Sequence, residues 1–333
     1  MDFGLWYDFR NPPRWHLPYD ELYQENLEQI GWAEGAGFES VWLSEHHVTD
    51  DGYLPSLFPM LAAIAARTSS LRIGTAVLLA PLQHPIRFAE DAAVVDQLSG
   101  GRLEVGLGLG YRKAEFDVLG IPKAERGSRT DELIEIARLA WGAAPFDHAG
   151  RHWRFDGVQV TPPPKQADGP PLWVAGSAPA AARRAGRLGC HFMPDAGIAP
   201  EVIELYESTL AEHGHPASAR RVAINPSIHV CEDPEQGWDA VKEHYLYSYN
   251  CYRRWYAESG DPTGPPLEDP DELPRDRYVV GTPDDVVAAI LALHERVRFD
   301  RLFFWARPPG LSREESDRSL ELFAGEVIPR LAR

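Results

Sequence analysis

Cysteine is scarce in this sequence, which has three, Cys190, Cys231 and Cys251, among 333 residues. They form neither a Cys-x-x-Cys pair nor a zinc-site spacing, so we expect free thiols in a reducing compartment. The chain also lacks a run of about 18 apolar residues, so no membrane span is expected. The first residues, MDFGLWYDFR, lack the pattern of a signal peptide. Together these absences predict a cytoplasmic protein.

Acidic residues outnumber basic residues in this sequence. The sequence has 33 Lys and Arg against 50 Asp and Glu, a formal net charge of −17. Nucleic acids and anionic membranes bind through a basic footprint, so we predict neither as a partner. At 44% hydrophobic and 11% aromatic residues, the chain is too apolar to be disordered and can bury a large core.

Short apolar runs alternate with amphipathic stretches along the whole chain, a pattern typical of buried parallel strands covered by helices. Eight strand–helix units predict a TIM (β/α)8 barrel. The alternative is a Rossmann-like open sheet, but its G-x-G-x-x-G is absent from the first βα turn, and GLGLGY at 106–111 has the wrong spacing. The predicted strands are 2–7, 39–44, 71–79, 102–108, 171–175, 190–193, 222–230 and 301–305. The predicted helices are 19–36, 57–67, 85–98, 128–142, one from 179, 200–213, 235–257, 283–297 and 313–331.

Two stretches interrupt this rhythm inside what we interpret as a single barrel domain over 1–333. Residues 144–169 contain the alternating HWRFDGVQV and three consecutive prolines, which predicts a hairpin insertion before the fifth strand. Residues 258–277 are rich in proline and acids and show no periodicity. Two interpretations of this second insertion stay open, a solvated surface loop and a mobile lid over the active site.

Active sites of parallel barrels lie at the carboxyl ends of the strands, which selects Glu45-His46-His47 after the second strand. Two histidines and a carboxylate suggest a metal, but neighbours in an extended segment point to opposite sides, and the zinc-protease spacing is absent. We therefore predict no metal site. One histidine acting as an acid, base or hydrogen-bond donor is favoured, and a pair that only braces the loop is the alternative.

The segment Gly176-Ser177-Ala178-Pro179 follows the fifth predicted strand. Glycine allows a ligand to approach the backbone closely, and the free amides of a helix start favour a phosphate. Ser177 and Pro179 are equally typical of an ordinary helix cap. The position after a barrel strand favours the phosphate site.

Taken together, these motifs resemble the bacterial luciferase-like flavin monooxygenase family. The order of the motifs, each at a predicted strand end, makes the resemblance specific. It implies an eight-stranded barrel with insertions that binds reduced flavin at its carboxyl face. The matching stretches are FESVWLSEHH (38–47), LRIGTAVLLAPLQHPIRFAEDAAVVDQLSGGRLEVGLGLGYRKAEF (71–116), WVAGSAPAAARRAG (173–186) and GTPDDV (281–286).

The resemblance implies that His46 assists proton transfer near the flavin and that His47 supports His46 from one layer further away. It places a non-prolyl cis peptide at Ala76–Val77 under the flavin ring. It also maps the phosphate site to Gly176 and Ser177. The side chains that we expect around the substrate are Trp6, Phe9, His47 and His84.

A phosphate-binding arginine of the family maps to Arg129, with Arg126 as the rival. Tyr111 and Gly108 would contact the cofactor. Gly108 stands where light-emitting luciferases carry a reactive cysteine, and Leu109 stands where they carry a basic residue. These two departures argue against bioluminescence itself.

The leading hypothesis is a monooxygenase that uses reduced FMN and O2 on a small organic substrate. Since no second nucleotide fingerprint is present, a separate flavin reductase would supply the reduced FMN. The resemblance also implies a homodimer through the helices at 57–67 and 85–98. The alternatives are hydride transfer with the deazaflavin F420, a non-catalytic flavin-binding protein and, more distantly, a metal hydrolase.

Overall fold

The strands fall into one large sheet and two small ones in this computed structural model, which describes residues 1–216 and 221–331. Their bounds follow those of the predicted strands closely, with the exceptions described below. They are β1 (Asp2–Tyr7), β2 (Ser40–Leu43), β3 (Arg72–Leu79), β4 (Leu103–Gly108), β5 (Phe146–Ala149), β6 (Arg154–Val158), β7 (Leu172–Ala175), β8 (His191–Met193), β9 (Ala223–Ile224), β10 (Ser227–Val230), β11 (Tyr278–Gly281) and β12 (Arg301–Trp305).

The large sheet is a barrel. Its eight strands are parallel and lie in the order β8-β7-β4-β3-β2-β1-β12-β9. A parallel bridge between Phe192 and Val222 joins the two edges. The predicted TIM barrel is therefore confirmed, and the Rossmann-like open sheet is wrong.

Helices cover the outside of the barrel, and several begin at a proline. Proline suits the first turn because that turn needs no amide hydrogen there. The helices are α1 (Tyr19–Gly35), α2 (Leu57–Ala65), α3 (Pro85–Ser99), α4 (Lys113–Val118), α5 (Arg126–Ala140), α6 (Pro179–Arg187), α7 (Pro200–Glu212), α8 (Pro234–Glu258), α9 (Pro283–Arg296), α10 (Arg313–Leu322) and α11 (Ile328–Leu331). A π turn, Phe323–Val327, interrupts the predicted helix 313–331. None of the helices in the described part of the chain has the length and apolar character needed to cross a bilayer.

The prediction of one strand over 222–230 is wrong. The structure has two short strands there, β9 in the barrel and β10 in a separate parallel pair with β11. Pro226 lies between them, and its missing amide hydrogen ends the ladder. The sequence analysis missed β11 and α4 altogether.

The two insertions contact different helices. Residues 144–169 contain an antiparallel hairpin of β5 and β6. Residues 258–277 run along α8, where the Asn250 side chain donates to the Leu267 carbonyl at 2.8 Å and accepts its amide at 2.9 Å. Leu273 is buried in the same contact.

The inside of the barrel is filled with side chains. Trp42, Trp173 and Phe303 pack together, with ring centroids of Trp42 at 5.8 Å from Trp173 and 5.4 Å from Phe303. Below them, Glu104 Oε2 accepts from Arg301 Nη1 at 3.0 Å and from Trp173 Nε1 at 2.7 Å. Burial alone would raise the pKa of Glu104, but Arg301 and Arg72 lower it overall. The barrel is thus a packed core whose ligands must bind at its ends.

Replacing Glu104 with Gln should destabilise the protein, because Arg301 loses the charge that compensates its burial. We expect the free energy of unfolding at neutral pH to fall by about 3 kcal/mol. A carboxyl with a lowered pKa stabilises the fold above its ordinary pKa and loses this effect as pH falls, so the deficit of E104Q should shrink towards pH 4. Urea unfolding at several pH values measures this. The exposed Glu212→Gln is the control, and an equal deficit at all pH values would contradict the prediction.

Candidate active site

The carboxyl ends of the strands form a half-exposed apolar floor above the packed core. Trp6, Ala76, Val77 and Ala175 pack on the core cluster and remain partly accessible. The peptide bond between Ala76 and Val77 is cis, as the resemblance predicts. Gly108 lies against the Val77 side chain, and a Cβ at Gly108 would overlap it. The floor thus depends on a glycine at the end of β4.

His46 follows β2 at the same carboxyl end of the barrel, where it is buried. Its Nδ1 is 2.7 Å from Oε1 of Glu115, a fully buried residue of α4, which fits a hydrogen bond donated by Nδ1–H to the carboxylate. The same carboxylate oxygen accepts the backbone amide of His47 at 2.9 Å. Among the described residues, only Nδ1 of His46 has a hydrogen-bond partner, which leaves Nε2 as the ring nitrogen that a ligand could contact.

His47 faces a different carboxylate. Its Nε2 is 2.6 Å from Glu45 Oε1, and Glu45 Oε2 accepts the Leu79 amide at 2.8 Å. Burial alone lowers the pKa of His47, but the hydrogen bond to Glu45 and its negative charge raise it overall. No group of three or more potential metal ligands occurs among His, Cys, Asp and Glu in the described ranges. His47 therefore ties the β2 loop to β3.

Aromatic rings surround His46. The ring centroids of Tyr53 and Trp255 lie 4.7 and 4.9 Å away, and Tyr111 follows at 5.7 Å. Tyr111 in turn stacks on Tyr256 at 4.3 Å. Trp255 and Tyr256 belong to α8, whose last turns therefore pack against the residues around His46. The sequence analysis missed this contribution, although six aromatic residues within 245–256 gave a signal.

A buried ion pair lies on the other side of the same rings. Arg10 Nε donates to Asp51 Oδ2 at 2.6 Å, and both side chains are fully buried. Tyr247 donates to the same oxygen at 2.8 Å. Burial alone would raise the pKa of Asp51, but Arg10 lowers it. For neighbouring Asp8, burial raises the pKa to about 7.

The segment before α6 is exposed. Gly176 has a φ of +129°, which favours glycine, and the Ser177 hydroxyl accepts the Asp195 amide at 3.0 Å. Residue Ala178 occupies the helix cap, and no side chain caps α6. The alternative of an ordinary serine cap is therefore wrong. The first-turn amides of α6 therefore have no side-chain acceptor and lie in an exposed segment.

The two candidate arginines are held differently. Arg129 Nε donates to the Pro81 carbonyl after β3 at 3.1 Å, and its guanidinium lies 4.6 Å from the Trp153 ring centroid. Arg126 donates to the Lys123 carbonyl within its own turn. Arg129 thus reaches the carboxyl end of a barrel strand, and these contacts favour it over its rival.

Two residues expected around the substrate lie away from this group. Phe9 has a φ of +56°, and its ring packs against Tyr7 and Tyr23 on the α1 side of the strand. His84 is exposed, and its ring centroid lies 6.1 Å from that of Phe155 in the hairpin. The structure does not place either side chain beside His46.

Comparison with known proteins matches residues 1–298 to the family model "Luciferase-like monooxygenase". The oxygenase component of flavin-dependent trigonelline monooxygenase from Acinetobacter baylyi is 28% identical, over 93% of this chain and 90% of that protein. F420-dependent glucose-6-phosphate dehydrogenase from Nakamurella multipartita is also 28% identical, over 93% and 95%. The crystal structure of the monooxygenase RslO1 from Streptomyces bottropensis superposes with a TM-score of 0.85 at 26% identity, over 99% of both chains.

The raised pKa of Asp8 gives a second pH prediction, of opposite sign to that for Glu104. Because the folded protein resists ionising Asp8, wild-type stability should fall as pH rises from about 4 to about 7. Asn cannot ionise, so Asp8→Asn should gain stability relative to the wild type over this range, by up to a few kcal/mol. Urea midpoints between pH 4 and 8 measure the difference. The exposed Asp50→Asn is the control, and a pH-independent difference for D8N would refute the prediction.

Proposed function

Because the chain belongs to the luciferase-like monooxygenase family, we propose that it is an FMN-dependent monooxygenase acting on a small organic molecule at the barrel mouth. Named relatives over most of its length are monooxygenases and a dehydrogenase, so the chain is an oxidoreductase. The observation that carries the proposal is the His46–Glu115 pair beside the half-exposed floor. Reduced FMN, when bound, supplies the electrons that activate O2.

The residues present fit this cofactor. The floor of Trp6, Ala76, Val77 and Ala175 is apolar and partly open, as a flat ring system requires. The exposed segment at Gly176 and Ser177 offers amides at the start of α6 for a phosphate. Arg129 would add a positive charge from α5, whose Asp131 accepts from Arg184 of α6 at 2.6 Å.

The chain's own contribution is a dry, oriented site. The rings of Tyr111, Trp255 and Tyr256 exclude water around His46. Glu115 holds Nδ1, which leaves Nε2 to give or take a proton beside the floor. His47 and Glu45 keep the loop that carries His46 attached to β3.

We further propose that a separate reductase supplies the reduced FMN. The trigonelline relative is named as an oxygenase component, which supports this division of labour. The sequence also has no second nucleotide fingerprint.

Hydride transfer with F420 is the second candidate. The similarity to an F420-dependent dehydrogenase over nearly the full length of both chains favours it. The apolar floor and the His46–Glu115 pair would serve a deazaflavin equally well. Binding measurements with both cofactors separate the two candidates.

Anaerobic calorimetry with reduced FMN and with F420 should give the tighter dissociation constant for reduced FMN. In Glu115→Gln, binding of reduced FMN should stay within about threefold of the wild type, because Glu115 orients His46. The rate at which O2 oxidises the bound flavin in this variant, measured by stopped-flow absorbance, should change by about 10-fold or more, which is an effect of the size expected for acid–base catalysis. Glu28→Gln, on the exposed face of α1, is the matched control.

Each outcome of these measurements is decisive. Tight F420 binding without FMN binding would favour hydride transfer and overturn the monooxygenase. Binding of neither cofactor would refute both candidates. Equal oxidation rates in E115Q and E28Q would remove His46 and Glu115 from the reaction.

We also propose a homodimer through α2 and α3. Large apolar side chains are exposed in this region. They are Val94 and Leu98 on α3, and Val118 and Leu119 at the end of α4. Val94 and Leu119 line one cleft together with residues of α2. A second copy of the chain would cover this surface.

Leu98→Glu should therefore convert a dimer into a monomer, because it places a charge in the apolar contact. Sedimentation velocity at micromolar concentration measures the change. Leu291→Glu, at an exposed apolar position of α9, is the matched control and should leave the dimer intact. A monomeric wild type, or a dimeric L98E, would contradict the proposal.

A further inference from the structure

Arg112 is a buried arginine between β4 and α4 whose guanidinium binds the backbone of a different loop. Its Nη1 donates to the carbonyl of His47 at 2.5 Å, and its Nη2 donates to the carbonyl of Val48 at 3.3 Å. Both acceptors belong to the loop after β2 that carries His46. Burying a full charge costs free energy, so these two hydrogen bonds compensate part of that cost and at the same time fix the loop.

One turn of the chain holds the backbone of His47 on both of its sides. The amide of His47 donates to Glu115 Oε1 at 2.9 Å, while its carbonyl accepts from Arg112. The Glu115 amide donates to the Arg112 carbonyl at 3.2 Å, so the two residues that hold His47 are also bonded to each other. The same Glu115 oxygen lies 2.7 Å from Nδ1 of His46. The turn 112–115 therefore determines where the loop places the His46 ring.

The next residue of the loop has a strained backbone. Val48 has a φ of +48°, in the left-handed region that a β-branched residue seldom adopts. A conformation of this kind persists only where its surroundings hold it, and Arg112 binds the carbonyl of this same residue. Without these bonds, the segment after His46 would be free to relax to an unstrained conformation.

Arg112 also connects this loop to α8. Its Cζ lies 4.9 Å from the ring centroid of Trp255, which in turn lies 4.9 Å from that of His46. The amide of the following residue, Lys113, donates to the hydroxyl of Ser259 directly after α8 at 3.1 Å. A flat guanidinium can stack on a ring and donate in its own plane, which an ammonium group cannot do.

We propose that Arg112 is a positioning residue, which holds His46 in hydrogen-bond contact with Glu115 by binding the carbonyls of His47 and Val48. The role requires no contact between Arg112 and cofactor or substrate. It requires two donors at a fixed separation, because the two acceptors are successive carbonyls, and a positive charge alone does not supply them. The effect on the reaction rests on the proposed function, whereas the effect on the orientation of His46 does not.

Arg112→Lys keeps the charge and removes the paired donors. Binding of reduced FMN should stay within about threefold of the wild type, and the rate at which O2 oxidises the bound flavin should change by about fivefold, because a proton-transfer group is displaced. The double variant R112K/E115Q should match E115Q within about twofold, since both substitutions disturb the same contact. Arg138→Lys, at an arginine that donates to the Leu188 carbonyl before β8, is the matched control and should leave the rate unchanged.

Nitrogen-15 NMR of the histidine side chains provides a second measurement, on the cofactor-free protein. At a pH of about 9, imidazoles are ordinarily neutral, and the spectrum shows which ring nitrogen carries the proton. In the wild type, His46 should carry it on Nδ1, facing Glu115, and in R112K the signal should move towards the form protonated on Nε2. The His46→Asn spectrum assigns the signal, and circular dichroism checks the fold. Arg112→Gln is the second variant, with the same expected changes.

Unchanged oxidation and an unchanged His46 signal in R112K would overturn the proposal. Additive rate effects in R112K/E115Q would also overturn it, because Arg112 would then act independently of Glu115. Full activity in R112K together with a loss in R112Q would show that the charge matters and the paired donors do not. If the His46 signal moves in R112K as expected but the wild type binds no flavin, only the proposed function is refuted.

Discussion

The ion pair of Glu104 and Arg301, with the aromatic layer packed on it, is the interaction on which the architecture of the mouth depends. Both side chains lie inside the barrel, and Trp173 adds its indole N–H to the same carboxylate. A buried carboxylate is tolerable when hydrogen bonds compensate its charge, and here Arg301, Trp173 and Arg72 all donate to Glu104. Since this layer fills the barrel, the partly open residues above it form a floor for ligands.

The mouth is built by two parts of the chain that are distant in sequence. The ends of β1 to β4 and β7 supply the floor, His46 and the glycine positions. Helix α8 supplies rings that contact His46 and Arg10, and residues 258–277 are hydrogen-bonded to the same helix through Asn250.

Sequence patterns predicted the barrel because a buried parallel strand produces a continuous apolar run, and eight such runs alternated with amphipathic helices. They failed where the pattern was short or hidden, as in β11, which follows a proline-rich acidic stretch. The strand-end position selected Glu45-His46-His47, and only the family resemblance singled out His46. Its partner Glu115 was missed because they meet across 69 positions of the chain. The Arg10–Asp51 pair likewise joins residues 41 positions apart, and no local periodicity indicates such contacts.

The polar side chains at the mouth are oriented from within the protein. Glu115 lies in hydrogen-bond contact with Nδ1 of His46, and Asp51 accepts from Nε of Arg10. The rings of Tyr53 and Trp255 contact both His46 and Arg10 and so connect the two pairs. Groups held in this way need little reorganisation when a ligand arrives, which is the property that acid–base chemistry at a buried site requires.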